Sequence, residues 1–210
     1  SPATLQQRFT FLRLRFNAVL TQFDIFADVL SQRSQLDNGL ALSGLDVFAA
    51  DALALPGGYD NPPPVICYLD RGHGAAVRRG RTRAPGGGEN PVAIIRVPRE
   101  RMVSSGIGSS LVHEVGHQAA SLLDVIASLR LVLRTRHEED RAERAAWRYW
   151  ERWISEIFAD FWSVARIGVA STLGLIGVMS LPRVFVFRLN PDDPHPVPWV
   201  PRPGRAPASR

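Results

Sequence analysis

The chain has 210 residues, of which 45% are hydrophobic, and this is enough apolar side-chain volume to exclude a disordered protein. The net charge is +5, but all 25 basic residues are arginines and they are spread among acidic residues, so the charge predicts no nucleic-acid partner. A single cysteine, Cys67, excludes an internal disulfide bond. Together with the lack of a visible leader segment, it favours the cytoplasm.

The N-terminal quarter of the chain is predicted to be helical. Apolar residues recur at spacings of three and four between residues 3 and 37, which indicates one long amphipathic helix or two in series. The repeated positions are Phe9, Leu12, Phe16, Val19, Leu20, Phe23, Phe26 and Leu30. Asn38-Gly39 predicts a helix stop, and a shorter helix is expected near 43–54. We interpret segment 1–55 as a wall, a cap or a prodomain, and place the functional domain at 56–210.

Two short β-branched runs predict strands. Residues 65–69 follow three consecutive prolines, and residues 92–97 lie between Pro91 and Pro98. The intervening stretch, residues 71–91, is rich in glycine and arginine, which predicts a mobile, solvated loop.

The most informative motif follows the second strand. It is His113-Glu114-Val115-Gly116-His117, an H-E-x-x-H pattern inside an apolar helical run. Positions i and i+4 share one helix face, so both imidazoles can bind one Zn²⁺ at about 2.0–2.1 Å. Glu114 lies about 100° further round the helix, where it can take a proton from a water molecule in the open metal position. The pattern predicts a zinc site with Glu114 as general base; the alternative is a surface helix with two coincidental histidines.

A third protein ligand is expected, because two histidines do not hold a catalytic zinc. In the helix predicted over 139–166, Glu156 and Asp160 are four residues apart and share one face. Their neighbours are apolar, and buried carboxylates need a cation or hydrogen-bond donors. We predict Glu156 as the third ligand and Asp160 as the acceptor that orients a zinc-binding histidine. The alternative is a solvated pair near Arg152 and Arg166.

The order H-E-V-G-H and then S-E-I-F-A-D resembles the gluzincin clan of zinc metallopeptidases, the thermolysin-like group. The resemblance covers roughly residues 92–165, and the interval of 39 residues from His117 to Glu156 is considerably longer than in thermolysin. It implies the same ligand set and the same role for Asp160. It also implies that strand 92–97 is the edge of the sheet, where an extended peptide substrate pairs with it.

Further side chains are candidates for stabilising an oxyanion on a substrate carbonyl. The resemblance implies a downstream histidine, and His195 in the proline-rich tail is the candidate; a surface histidine is the alternative. Tyr149 lies seven residues before Glu156 on the same helical face, although packing among tryptophans is the alternative. Arg188, in a late strand predicted over 184–189, is the third candidate.

The apolar run 167–181 is shorter than the about 20 residues that span a bilayer. We therefore predict a buried helix or helix–turn in preference to a membrane contact.

These patterns predict an α+β fold, a mainly helical zincin-like domain with a small β-sheet whose edge strand precedes the active-site helix. The predicted activity is zinc-dependent hydrolysis of peptide bonds by an endopeptidase acting on a peptide or protein substrate, with Zn²⁺ on His113, His117 and Glu156. The alternatives are a latent enzyme blocked by its own tail or by residues 71–91, a zinc hydrolase for another amide, and a helical partner-binding domain with structural zinc. The patterns leave the substrate preference and oligomeric state open.

Overall fold

The computed structural model describes residues 2–57, 61–71, 75–83, 88–99 and 106–179, together with His195. Within these ranges the chain forms six helices and three strands. The helices are α1 (Pro2–Arg33), α2 (Leu36–Leu53), α3 (Gly106–Leu122), α4 (Val125–Glu139), α5 (Arg144–Ile167) and α6 (Val169–Met179). The strands are β1 (Val65–Asp70), β2 (Ala76–Arg78) and β3 (Ala93–Pro98). The predicted α+β class, mainly helical with a small sheet, is confirmed.

The sheet has the order β1-β3-β2, with β3 parallel to β1 and antiparallel to β2. The prediction that the strand before the motif helix is the edge is therefore wrong, because β3 is the central strand. Its neighbour β2 is an edge strand, and it lies inside the 71–91 stretch that we predicted as a mobile loop. A three-residue strand gives no readable alternation, so its pairing with Ile94, Ile95 and Arg96 of β3 had no sequence signal.

The boundary between the first two helices also differs from the prediction. α1 ends at Arg33 and α2 begins at Leu36, so Asn38-Gly39 lies in the first turn of α2 instead of ending a helix. A Cβ atom on Gly39 would lie 2.6 Å from the Arg33 carbonyl oxygen. The glycine therefore allows the close approach of the two helices.

The main hydrophobic core joins α2, α3, α5 and the sheet. Its buried members include Leu42, Leu53, Cys67, Ile95, Val112, Val115 and Trp162. The indole N–H of Trp162 donates a 3.1 Å hydrogen bond to the carbonyl of Ala52, which ties α5 to α2. Because Leu42 and Leu53 are completely or almost completely buried, α2 forms one side of this core.

A glycine lets α5 pack directly on α3. A Cβ atom on Gly116, inside the H-E-x-x-H motif, would lie 2.8 Å from the Cα atom of Ala159 and 3.1 Å from the Cβ atom of Trp162. The two backbones therefore approach more closely than any side chain at position 116 would allow. This contact sets the distance across which the predicted ligands face each other.

α6 packs on α3 through another glycine, since a Cβ atom on Gly174 would lie 2.4 Å from the Cβ atom of Ser109. Its other face is exposed at Val169, Leu173 and Ile176, so the expected burial of this apolar run is right for one face only. Among the described helices, none combines the length and apolar character needed to cross a membrane.

Candidate metal centre

The packing of α5 on α3 brings the three predicted ligands together. The Nε2 atoms of His113 and His117 lie 3.2 Å and 3.3 Å from the same oxygen, Oε2 of Glu156. One ligand atom of each residue lies within 4.8 Å of the other two. The imidazole rings meet edge to face at 85°, with centroids 4.9 Å apart. Three potential ligand atoms from two helices therefore converge on one small volume.

Each ring nitrogen of His113 faces a carboxylate oxygen. Its Nδ1 atom lies 2.8 Å from Oδ1 of Asp160, so a proton on Nδ1 is donated to that carboxylate. Its Nε2 atom then faces Oε2 of Glu156, a second acceptor. Two acceptors flanking one ring require either an imidazolium, with protons on both nitrogens, or a cation beside Nε2.

The charge state of the cluster reflects that requirement. Burial lowers the pKa of His113, but hydrogen bonds to Asp160 and Glu156 outweigh it and raise the pKa to about 9. Burial likewise raises the pKa of Glu156, but hydrogen bonds from His113 and His117 outweigh it and hold the pKa far below its ordinary value. Both pKa shifts favour the charged forms, an imidazolium beside a carboxylate. Two imidazole nitrogens and one carboxylate oxygen are also a ligand set of catalytic zinc sites, so these residues fit Zn²⁺.

Each histidine has its own partner on α5. Asp160 lies where the sequence places it, against Nδ1 of His113. Ser155, which the sequence analysis missed, has its Oγ atom 3.3 Å from Nδ1 of His117. The signal for Ser155 is its position directly before Glu156, although a serine in an aromatic-rich helix has no motif that marks it. One histidine is therefore oriented by a carboxylate and the other by a hydroxyl group.

Glu114 lies beside the cluster and faces β2. The backbone of Val77, in the edge strand, lies next to this carboxylate and lowers its pKa slightly. Burial raises the pKa of Glu114, and the nearby His113 and His117 lower it by less. A carboxylate with a raised pKa is better matched to accepting and returning a proton near neutral pH.

The chain after β2 is anchored to the motif helix by Gln118, directly after His117. The N–H of Gly80 donates a 2.8 Å hydrogen bond to Oε1 of Gln118, which is 1% exposed. A Cβ atom on Gly80 would lie 2.9 Å from the Pro63 side chain and 3.1 Å from the Ala93 nitrogen. Gly80, which lies in the stretch that we predicted as a mobile loop, therefore allows close packing. Gln118 was also missed, because its partner is a backbone group far away in the sequence.

The remaining candidates are placed differently. Tyr149 is 48% exposed and stacks on Trp153 with ring centroids 5.1 Å apart, as the packing alternative has it. His195 places Nε2 3.6 Å from Oε2 of Glu156, the atom that the two motif histidines also contact. Arg188, the strand predicted over 184–189 and the tail around His195 lie outside the described residues.

Comparisons of the chain with protein-family models, with curated proteins and with solved structures find no match. The gluzincin resemblance therefore remains a prediction carried by the motif residues.

Proposed function

We propose that this chain is a zinc-dependent peptidase of the gluzincin type, with Zn²⁺ held by His113, His117 and Glu156. The observation that carries the proposal is the convergence of both histidine Nε2 atoms on one oxygen of Glu156, with Glu114 alongside and facing an edge strand. Zinc in such a site acts as a Lewis acid on a carbonyl oxygen and lowers the pKa of water.

The residues of α5 prepare the histidines for this role. Asp160 retains the Nδ1 proton of His113, which leaves the Nε2 lone pair directed at the ligand cluster. Ser155 makes the corresponding contact with His117 through a neutral hydroxyl group. The half-buried Glu156 supplies the negative charge that two neutral imidazoles lack.

Glu114 moves the proton. It accepts a proton from the attacking water as the new C–O bond forms, and donates it to the amide nitrogen as the C–N bond breaks. The second proton of the water also passes to the leaving nitrogen, so one water is consumed and one carboxylate and one protonated amine are released. The carboxylate of Glu114 lies beside the edge strand, next to the backbone of Val77.

The edge strand suggests how the substrate binds. β2 pairs with β3 on one side, and among the described residues no strand pairs with its other side. An extended peptide can add to such an edge through its main chain. Because an added strand can continue past either end of β2, this arrangement favours an endopeptidase over an enzyme that recognises a chain terminus.

A second candidate function is a latent form of the same enzyme. The observation that favours it is the position of His195, whose ring reaches the same carboxylate oxygen as the two ligand histidines. If His195 occupies the place of a substrate carbonyl, His195→Ala raises the peptidase activity. If His195 instead stabilises the oxyanion, the same change lowers kcat. The direction of the effect separates the two functions.

The test of the peptidase is Glu114→Gln, assayed on unstructured protein and peptide substrates with zinc-loaded protein. We expect turnover to fall by about 10²-fold or more while the zinc content is unchanged, because Glu114 moves the proton without binding the metal. The matched control is Glu139→Gln, an exposed glutamate of α4 that should leave activity intact. Equal activity of wild type and Glu114→Gln would overturn the proposal.

A further inference from the structure

The face of the sheet that is turned away from α3 carries a cavity. Side chains alternate between the two faces along a strand, so Arg78 shares this face with Ile94 and Arg96 of the neighbouring strand β3. The cavity has a volume of about 270 Å³, and its walls are Ile25 of α1, Tyr68 of β1, Ile94 and Arg96 of β3, and the three residues of β2. It therefore extends to the edge strand.

The charged groups of this face are divided across the sheet. Asp70 ends β1, on the far side of the sheet from β2, and its Oδ2 atom lies 3.8 Å from Nη1 of Arg96 in the central strand. Asp28 of α1 interacts with Tyr68, also on the β1 side. Among the described residues, the guanidinium group of Arg78 forms no ion pair. The acidic groups thus lie at the β1 side, and the positive charge of Arg78 stands at the β2 edge.

The segment that contains β2 is basic throughout. Residues 71–88 include five arginines and no acidic residue. Arg79, which follows the strand, is exposed. A local excess of one sign of charge raises the concentration of ligands with the opposite charge. Peptides with acidic side chains are therefore attracted to this edge.

Strand alternation decides which substrate side chain meets Arg78. The carboxylate of Glu114 lies next to the backbone of Val77, so the scissile peptide group is expected near Val77. The Val77 side chain packs on the core that includes α3, and the residue beside it in an added strand points to the same face. The following substrate residue lies beside Arg78 and points to the cavity face. This holds for either direction of the substrate chain.

We propose that Arg78 selects peptides that carry aspartate or glutamate at the position beside it. Opposite charges on neighbouring strands attract each other when they share a face, and like charges repel. Arg96 faces its own carboxylate, Asp70, so it contributes less to the selection. The apolar side chains of Ile25 and Ile94 in the cavity wall exclude water, which strengthens the attraction. The proposal rests on the peptidase function, since it names the substrate class of the same site.

The sequence preference of cleavage tests the proposal. A synthetic peptide library with randomised positions is incubated with zinc-loaded protein, and the cleavage sites are identified by mass spectrometry. We expect wild type to enrich aspartate and glutamate by about 2–5-fold at one position near the scissile bond. Arg78→Glu should replace this preference by one for lysine and arginine, and Arg78→Ala should abolish it. The matched control is Arg130→Glu, at an exposed arginine of α4, which should keep the wild-type preference.

The outcomes distinguish this proposal from the peptidase function. Cleavage without an acidic preference, or an acidic preference that Arg78→Glu leaves unchanged, would overturn the role of Arg78 and leave the peptidase intact. No cleavage by wild type would overturn both. Arg78 is not a metal ligand, so both variants are expected to keep the zinc content and helix content of wild type. An equal loss of cleavage for all peptides in both variants would show a structural role and would likewise contradict the proposal.

Discussion

The α3–α5 interface and helix α1 contrast in what they bury. The interface places two imidazoles and a carboxylate together between helices, while α1 leaves aromatic rings in water. Both arrangements cost free energy in an isolated chain, since buried charge needs a counter-charge and exposed apolar surface needs cover. The first region contains the atoms that our proposal assigns to a cation, whereas the second is an apolar surface with no defined binding atoms.

The two regions also differ in how sharply they define that partner. At the interface, the Nε2 atoms of both histidines lie 3.2 Å and 3.3 Å from one carboxylate oxygen, so the proposed cation has defined candidate ligand atoms. On α1, the exposed apolar residues define a surface, but no atom-to-atom geometry is fixed. A substitution at one ligand or ligand partner of the interface is therefore expected to change zinc affinity strongly. A single substitution on α1 changes only part of a broad apolar surface.

Of the two residues that contact the histidines from α5, Asp160 is expected to have the larger effect on zinc affinity, tested by Asp160→Asn. An asparagine can present its N–H₂ group to Nδ1 of His113, which favours the tautomer with the proton on the metal-binding nitrogen. We expect zinc affinity to fall by about 10–100-fold, measured by competition with a chromogenic chelator. An unchanged affinity would mean that the contact between Asp160 and His113 does not orient the ring, and the interface would then resemble an ordinary ion pair.

Gly116→Ala tests whether close helix packing sets the ligand distances. The added Cβ atom meets the backbone of Ala159, so the helices must separate, and we expect a loss of about 1–3 kcal/mol in the free energy of unfolding by urea. The control is Gly44→Ala in α2, where a Cβ atom meets nothing within 4 Å. Helix propensity should make that variant more stable by up to about 1 kcal/mol. Equal effects of the two changes would contradict the packing role.

The pH dependence of Tm, compared between zinc-free and zinc-loaded protein, tests whether protons and zinc compete for the same site. The pKa of His113 is raised from 6.5 to about 9, so its contribution to stability is complete below pH 6.5 and lost as the pH rises through 9. The pKa of Glu156 is lowered from 4.5, so its contribution is lost as the pH falls below that value. We expect the Tm of zinc-free protein to fall between pH 6.5 and 9.5. Zinc-loaded protein should not show this loss, because a zinc-binding histidine is already neutral. Parallel curves with and without zinc would contradict the shared site.

The smallest effect is expected from Ser155→Ala. The hydroxyl group is neutral and lies 3.3 Å from His117, a longer contact than that between Asp160 and His113. We expect zinc affinity to fall by less than about 10-fold, below the range for a lost carboxylate partner. A larger loss than that of Asp160→Asn would reverse the ranking of the two histidine partners.

The part of the site that could be predicted from sequence depends on helix periodicity. Positions i and i+4 share a face whatever the rest of the chain does, so His113 with His117 and Glu156 with Asp160 were readable as pairs. The apolar neighbours of Glu156 and Asp160 indicated that these carboxylates are buried and need a partner. This suggested that their helix face meets the histidine face. The structure places these four residues together, and the α+β class was also predictable from helical periodicity with two β-branched runs.

What was missed depends on contacts between distant segments. β2 is too short to carry a pattern, and it forms by pairing with β3, while Gln118 anchors Gly80 just after the strand. With β2 unseen, the central strand β3 was mistaken for the edge. Gly39 was mistaken for a helix stop because its role, to admit the Arg33 carbonyl, is a tertiary contact. Local propensity gives way to such contacts, and no spacing rule reveals them.

The zinc content of wild type and Glu156→Ala, by elemental analysis after dialysis, tests the central claim most directly. Glu151→Ala is the matched control, since Glu151 lies on the same helix and pairs with Arg134 instead of the histidines. We expect about one zinc per chain in wild type and in Glu151→Ala. In Glu156→Ala we expect most of the zinc to be lost while the helix content is preserved. Zinc retained at the wild-type level in Glu156→Ala, or absent from wild type supplied with zinc, would contradict the three-ligand site.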